Sequence, residues 1–201
     1  MEDGGLKFYL KMNNRISKQD FIKDLVRETK GALLYKNEIL VDKNEKGILK
    51  KGVKLLCNKY KPKSVLEVGF GLGYTAQEFQ DYEIESHTII EPHPTIYARA
   101  VEWANQFPNR YIKVIERFFQ DYETDEKFDI VYDDRKDMVY YNDEFIRSDE
   151  PFRRWIKTYV KRGGIVAGYA RELEEIKEFD NGFFFEIDGK KYRQPLIFKD
   201  N

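Results

Sequence analysis

Four carboxylic acids and three glycines give this chain its chemistry. Glu67, Glu91, Asp133 and Asp134 each lie inside or at the end of a short apolar run, and Gly69, Gly71 and Gly73 follow the first run at alternating positions. From Ser64 to Thr75 the chain reads Ser-Val-Leu-Glu-Val-Gly-Phe-Gly-Leu-Gly-Tyr-Thr. Val65, Leu66 and Val68 form a buried parallel strand, and the glycines then permit backbone angles and a close approach that a side chain forbids. Such a strand-to-loop turn binds a ligand. Its spacing discriminates between ligands, because a pyrophosphate-binding turn puts its third glycine three residues after the second, and here it comes two after.

The other acids sit where a parallel sheet presents ligands. His87-Thr88-Ile89-Ile90-Glu91 is a second apolar run ending in an acid, about twenty residues beyond the first glycine, the position from which a carboxylate accepts the two hydrogen bonds of a ribose diol. Phe128 to Asp133 is another strand, ending in Asp133-Asp134-Arg135 at the carboxyl edge where open sheets bind ligands. Downstream, Asp137, Tyr140, Tyr141, Asp143 and Glu144 combine acids with aromatic faces that attract a cation, a composition equally suited to a solvated loop.

The elements that must position these groups alternate as in an α/β fold. Helices are predicted over 17–30 and 45–60, the second burying Ile48, Leu49, Val53, Leu56, Cys57 and Tyr60. Strands follow at 64–69, 87–91, 112–116, 128–133 and 165–169, with helices at 74–81, 94–106, 151–161 and 172–178. The segments 182–187 and 192–198 pair around Asp188-Gly189. The result is a Rossmann-like, doubly wound, seven-stranded sheet with a C-terminal antiparallel hairpin and N-terminal helices. One domain is expected over 1–201, with an arm and helices in 1–60 and the core in 64–201. The first fifteen residues read as a flexible arm or a lid. Trp103 lies on the apolar side of 94–106 and reads as core.

Composition narrows the classes. In 201 residues, 35 basic and 36 acidic side chains leave a net charge of -1, which argues against a nucleic-acid or anionic-membrane partner. Charged residues make up 35% and mean hydropathy is -0.69, as for a very soluble, ion-pair-rich surface. One cysteine, Cys57, and two histidines exclude an internal disulfide and leave no ligand set for structural zinc, so Cys57 reads as a small buried hydrophobe and no metal is expected. Without a membrane-span pattern or a signal-like start, the expected location is cytoplasmic. The oligomeric state is left open.

The segment from Glu67 to Gly73 resembles the first motif of the class I S-adenosylmethionine-dependent methyltransferases, whose cofactor has no phosphate and lays its methionine part against the glycine loop. Leu66 to Gly71, Ile89-Ile90-Glu91, Lys113-Val114-Ile115, Phe128-Asp129 and Tyr132-Asp133 together resemble guanidinoacetate N-methyltransferase and its arginine-methylating relatives, over about residues 64–170. The resemblance implies S-adenosyl-L-methionine as cofactor, contacted by Glu67, Gly69, Gly71, Gly73 and Glu91. It sets Arg117, Phe118 and Phe119 beside the adenine, with the two aromatics as a stacking wall. It brings Asp133 to the acceptor. From their own places at the strand end and in the loop after it, Asp134 is the second catalytic candidate, Arg135 could pair with an acceptor carboxylate, and Tyr140 and Tyr141 are the substrate-binding candidates. Two departures stand out: the family's Trp-Glu pair has no counterpart in 31–60, and Tyr132-Asp133 is followed by Asp134-Arg135-Lys136-Asp137. The expected activity is N-methylation of a small-molecule amine, amino acid or guanidino group. Aminopropyl transfer from the decarboxylated cofactor and a non-catalytic cofactor-binding module are the alternatives. The absence of an Asn/Asp-Pro-Pro-aromatic motif after the fourth strand argues against nucleic-acid methylation.

Overall fold

The computed structural model describes residues 18–36, 38–135, 157–168, 171–172 and 182–199. Five parallel strands form its centre: β4 (Ser64–Val68), β5 (Ser86–Ile90), β6 (Tyr111–Ile115), β7 (Phe128–Asp133) and β8 (Val160–Gly168). They run in the order β8-β7-β4-β5-β6, so the chain reverses direction across the sheet at β4, between β5 and β7. A switch point of this kind opens a crevice at the carboxyl ends. β11 (Lys190–Lys199) pairs antiparallel with β8, and β10 (Gly182–Ile187) antiparallel with β11. The continuous path has seven strands, and the two-residue β9 (Arg171–Glu172) also pairs with β11, giving eight among the described residues.

Strand alternation sorts the core into two layers. Val65, Ile130, Tyr132, Ile165 and Ala167 point to one face, where α2 (Lys46–Tyr60) covers them with Val53, Leu56 and Cys57, and α3 (Tyr74–Gln80) with Phe79. Leu66, Val131 and Val166 point to the other, against Tyr122, Phe128 and Tyr159. α4 (Pro94–Ala104) starts at a proline behind a His93 cap and buries Ile96 and Ala100. Burial pushes the Cys57 thiol up to about 12, the behaviour of a packed hydrophobe. Trp103 packs on Phe70 and Phe107 and donates to Gln77 Oε1 at 2.9 Å.

Three expectations are corrected. The helix predicted over 17–30 stops early: α1 spans only Lys18–Lys23, and β1 (Val26–Glu28), β2 (Ala32–Tyr35) and β3 (Glu38–Asp42) form an antiparallel sheet. The cause is local and tertiary together. Thr29 and Ala32 bond across a turn containing Gly31, and Leu33 and Tyr35, two apart, are fully buried. The helix predicted over 151–161 gives way at Val160, where β8 begins. Gly163, with φ of +80°, carries the chain through a register slip opposite Phe128–Ile130 that a side chain would resist. The helix predicted from Glu172 instead has Arg171 and Glu172 in β9, and 173–178 lies outside the described residues.

Candidate active site

Beyond its last residue, each central strand keeps its ladder for one more bond, which fixes the tips. Gly69 N–H donates to Ile90 O, Glu91 N–H to Ile115 O and Asp134 N–H to Val68 O, at 2.8, 3.0 and 3.0 Å. Gly69, Gly71 and Gly73 all adopt left-handed backbone, with φ of +94°, +55° and +73°. A methyl group on them would stand 2.9 Å from Asp134 O, 2.7 Å from Val41 Cγ2 and 2.6 Å from Phe70 Cζ. The atoms that use the missing side chains are therefore the protein's own: the β7 tip, β3 and the loop's own phenylalanine. From sequence only a ligand was expected there.

At the β5 corner, Glu91 is buried among backbone donors, with the Gly71 N–H acting on it beside two close hydrogen bonds. Phe70 N–H donates to Oε2 at 3.0 Å, and His93 N–H to Oε1 at 2.9 Å. Burial pushes this carboxyl up to about 7 despite those donors. His93 Nδ1 accepts from Thr95 N–H at 3.2 Å, which leaves Nε2 to donate to Asp24 O at 2.9 Å and ties the end of α1 to this corner.

At the β7 corner, three oxygens share one hydroxyl. Thr75 Oγ1 meets Glu67 Oε1 in a short hydrogen bond and lies 2.8 Å from Asp134 Oδ2. Glu67 Oε2 faces His87 Nε2 at 2.8 Å, and His87 Nδ1 accepts from the Gln80 amide at 2.9 Å, which assigns the imidazole proton to Nε2. Glu67 and His87 are buried beneath the sheet's end. Burial, with the Glu67 charge next to it, holds the Asp134 carboxyl well above the usual carboxylate range.

Asp133 points to the opposite face from Asp134, as neighbours on a strand must. Its two oxygens take Arg135 Nε at 2.7 Å and Nη2 at 3.1 Å, and the Arg135 guanidinium lies 4.7 Å from the Phe119 ring centroid. A planar cation is thus gripped by a carboxylate and faced by an aromatic ring.

The predicted residues separate accordingly. Glu67 joins Asp134; Glu91 joins the loop; Asp133, Arg135 and Phe119 form a third group. Phe118 packs on Phe21 with Lys18 Nζ 5.0 Å from its ring, so its contacts are with α1. Arg117 is exposed and donates to Asp121 O at 3.4 Å, away from the acids. Tyr140 and Tyr141, with Asp137, Asp143 and Glu144, lie outside the described residues. Sequence reasoning missed Thr75, His87 as a partner of Glu67, and β3. Thr75 carried a usable signal, since it opens the helix after the glycines and so faces back to the strand end. The β7 corner and the glycine loop border a cleft of about 30 Å³ lined by Leu40, Val41, Glu45, Leu49, Phe70 and Asp134, among others. Among the described residues no cluster of His, Cys, Asp and Glu could hold a metal, and no helix is long and apolar enough to cross a membrane.

Known structures share this fold. The N-methyltransferase NodS from Bradyrhizobium japonicum WM9 superposes with a TM-score of 0.53 at 14% identity, over 78% of this chain and 98% of that one. A spermidine synthase in complex with the transition-state analogue AdoDATO gives 0.57 at 14% identity, over 84% and 67%. The glycopeptide N-methyltransferase MtfA complexed with sinefungin gives 0.51 at 14% identity, over 74% and 66%. At such identities the likeness establishes the fold. The family described as guanidinoacetate N-methyltransferase matches residues 45–167, which run from the cleft's Glu45 through the glycine loop and both acid corners into β8. The chain belongs to that family of S-adenosylmethionine-dependent N-methyltransferases.

Proposed function

We propose that the chain methylates a nitrogen of a small cationic acceptor, an amine, amino acid or guanidino compound, with Asp133 as the group that receives it. The observation that carries this reading is the Asp133–Arg135 pair beside Phe119: the carboxylate already accepts two hydrogen bonds from a guanidinium. An acceptor's guanidino or ammonium group would take the place of the Arg135 head, which could then meet a carboxylate on the same acceptor.

The donor set suits the cofactor. Glu91, at the β5 tip, has lone pairs left for ribose hydroxyls after accepting from Phe70 and His93. Asp134 offers an acid to a cation, and Leu40, Leu49 and Leu72 supply apolar walls. Gly69 and Gly73 let the loop pack against Asp134 and Phe70 and so shape the floor, and Gly71 would face the cofactor once Val41 moves away. At about 30 Å³ the cleft is far smaller than a nucleoside pocket of roughly 300 Å³ or more, so occupation requires β3 to draw Val41 back from Gly71. When bound, the cofactor supplies an electrophilic methyl group on a sulfonium. The chain's residues do the rest: the apolar wall excludes water, and Asp133 aligns the acceptor nitrogen and takes the proton it loses.

The test is product mass after incubation with S-adenosylmethionine and a panel of guanidinoacetate, arginine and small primary amines. Methylated product is expected, and Asp133→Asn should lower kcat by about 100-fold or more while cofactor binding is retained. An Asp133→Asn enzyme as fast as the parent would remove the proposed role. Product from decarboxylated cofactor, heavier by an aminopropyl group, would replace the reaction.

A further inference from the structure

Counting protons around Thr75 leads beyond the binding of the cofactor. A threonine hydroxyl has one proton, yet Thr75 Oγ1 contacts an oxygen of Glu67 and, at 2.8 Å, an oxygen of Asp134. If both acids were ionised, one contact would set two acceptors against each other in a buried site. Two protons must therefore lie along the three oxygens, the hydroxyl's own and one more. Glu67 has the Thr75 hydroxyl on Oε1 and the His87 Nε2 nitrogen 2.8 Å from Oε2, close but outside hydrogen-bond alignment, whereas the charges that act on Asp134 are those of acids. The extra proton belongs to Asp134, whose O–H donates to Thr75 Oγ1.

We propose that Asp134 carries a proton in the free enzyme and releases it when the cationic cofactor docks, so that cofactor binding is coupled to loss of one proton. The inference rests on the cofactor reading above and assigns Thr75 and Glu67 as positioning residues. The donors then run from Asp134 to Thr75 to Glu67, and the Gln80 amide, donating to His87 Nδ1, turns Nε2 toward the far oxygen of Glu67 at 2.8 Å. The ionisable neighbours of Asp134 are Glu67 on β4, backed by His87 on β5, Asp133 and Arg135 at the β7 tip, and Glu45 from the turn before α2. Glu67, Asp133 and Glu45 are acids that disfavour its ionisation, and burial acts in the same sense. A sulfonium or ammonium at the cleft reverses the balance. The O–H bond of Asp134 breaks, its electron pair stays on Oδ2, and the proton passes to solvent. No redox change occurs. The linkage has a definite sign: affinity for the cation rises with pH until Asp134 is ionised in the free enzyme, then levels off.

The experiment is calorimetric titration of the full chain with S-adenosylmethionine at one pH in two buffers, phosphate and Tris, whose ionisation enthalpies differ. The buffer difference counts protons. About one more proton should be released by the parent than by Asp134→Asn, whose amide copies the shape and donor of the protonated acid and so preserves the fold. Thr75→Ser, which keeps the hydroxyl, should match the parent. A carbon-13 titration of the free protein should find the Asp134 carboxyl still protonated well above the ordinary carboxylate range. Equal proton counts for parent and Asp134→Asn, or a carboxyl carbon titrating near the ordinary ~3.9, would overturn the inference while leaving cofactor binding intact. No heat with S-adenosylmethionine in either buffer would overturn the cofactor reading, and this inference with it.

Discussion

An acid stands at each of two strand tips, Glu91 buried and Asp134 half-buried, and the two are held in different ways. Glu91 at the β5 tip takes its donors from backbone N–H groups of Phe70 and His93, which are present whether or not a ligand is bound. Asp134 at the β7 tip shares one hydroxyl with a second acid, an arrangement that closes only with a further proton. Burial raises both carboxyls. The backbone solution fixes where the carboxyl group sits whatever its own charge, which suits hydroxyl ligands that need only a placed partner. The side-chain solution makes a group that can gain or lose a proton with its surroundings, suited to a cation that comes and goes.

Removing the fixed acceptor should do the most damage. Glu91→Ala leaves the Phe70 and His93 N–H groups without their partner in a buried corner, at about 1–3 kcal/mol for each unsatisfied donor. Denaturant unfolding should show a loss of about 2–5 kcal/mol, together with weakened cofactor binding. A loss below ~1 kcal/mol would mean that water or a neighbour replaces the carboxylate easily.

A second, smaller effect is the pH dependence of stability. Glu91 is raised from 4.5 to about 7, so its folded state holds a proton that the unfolded chain has lost across that window. The stability it contributes is complete below about pH 4.5 and is lost as pH rises through about 7, an effect of roughly 3 kcal/mol at most. Asp134 acts in the same direction. Melting temperature measured across pH 4 to 8 should fall with this sign, less steeply in Asp134→Asn and least in a variant lacking both acids. A profile unchanged by either substitution would contradict the distinction between the corners.

The smallest expected effect concerns access. Val41 Cγ2 would stand 2.7 Å from a methyl group at Gly71, so β3 lies directly on the loop. Val41→Ala should tighten cofactor binding by a few-fold, because less packing must be undone, and should cost about 1 kcal/mol of stability. Weaker binding instead would show that β3 contributes to the bound state.

The corners also differ in how far the sequence revealed them. β7 was bounded residue for residue at 128–133, and β4 and β5 to within a residue at each end, because short apolar runs ending in glycine or acid carry their own punctuation. The Glu91 position followed from its distance to Gly69. The Asp134 corner did not, since Thr75 and His87 meet Glu67 only after three elements pack together. The sheet over 26–42 was hidden more deeply. Phe21, Ile22, Leu25 and Val26 have helical spacing, but the turn at Gly31 and the burial of Leu33 against the Phe70 and Ile89 cluster override it. Arg117 was placed by analogy with a segment, and its side chain turns to Asp121 O.

The central claim is that both corners face one S-adenosylmethionine. Amide NMR of the full chain during titration with that cofactor tests it most directly, because each corner has its own reporters. Saturating shifts at Phe70, Gly71 and His93 for the β5 tip, and at Thr75 and Asp134 for the β7 tip, with one common midpoint, are the expected result. Shifts at only one corner, or none at saturating cofactor, would contradict it.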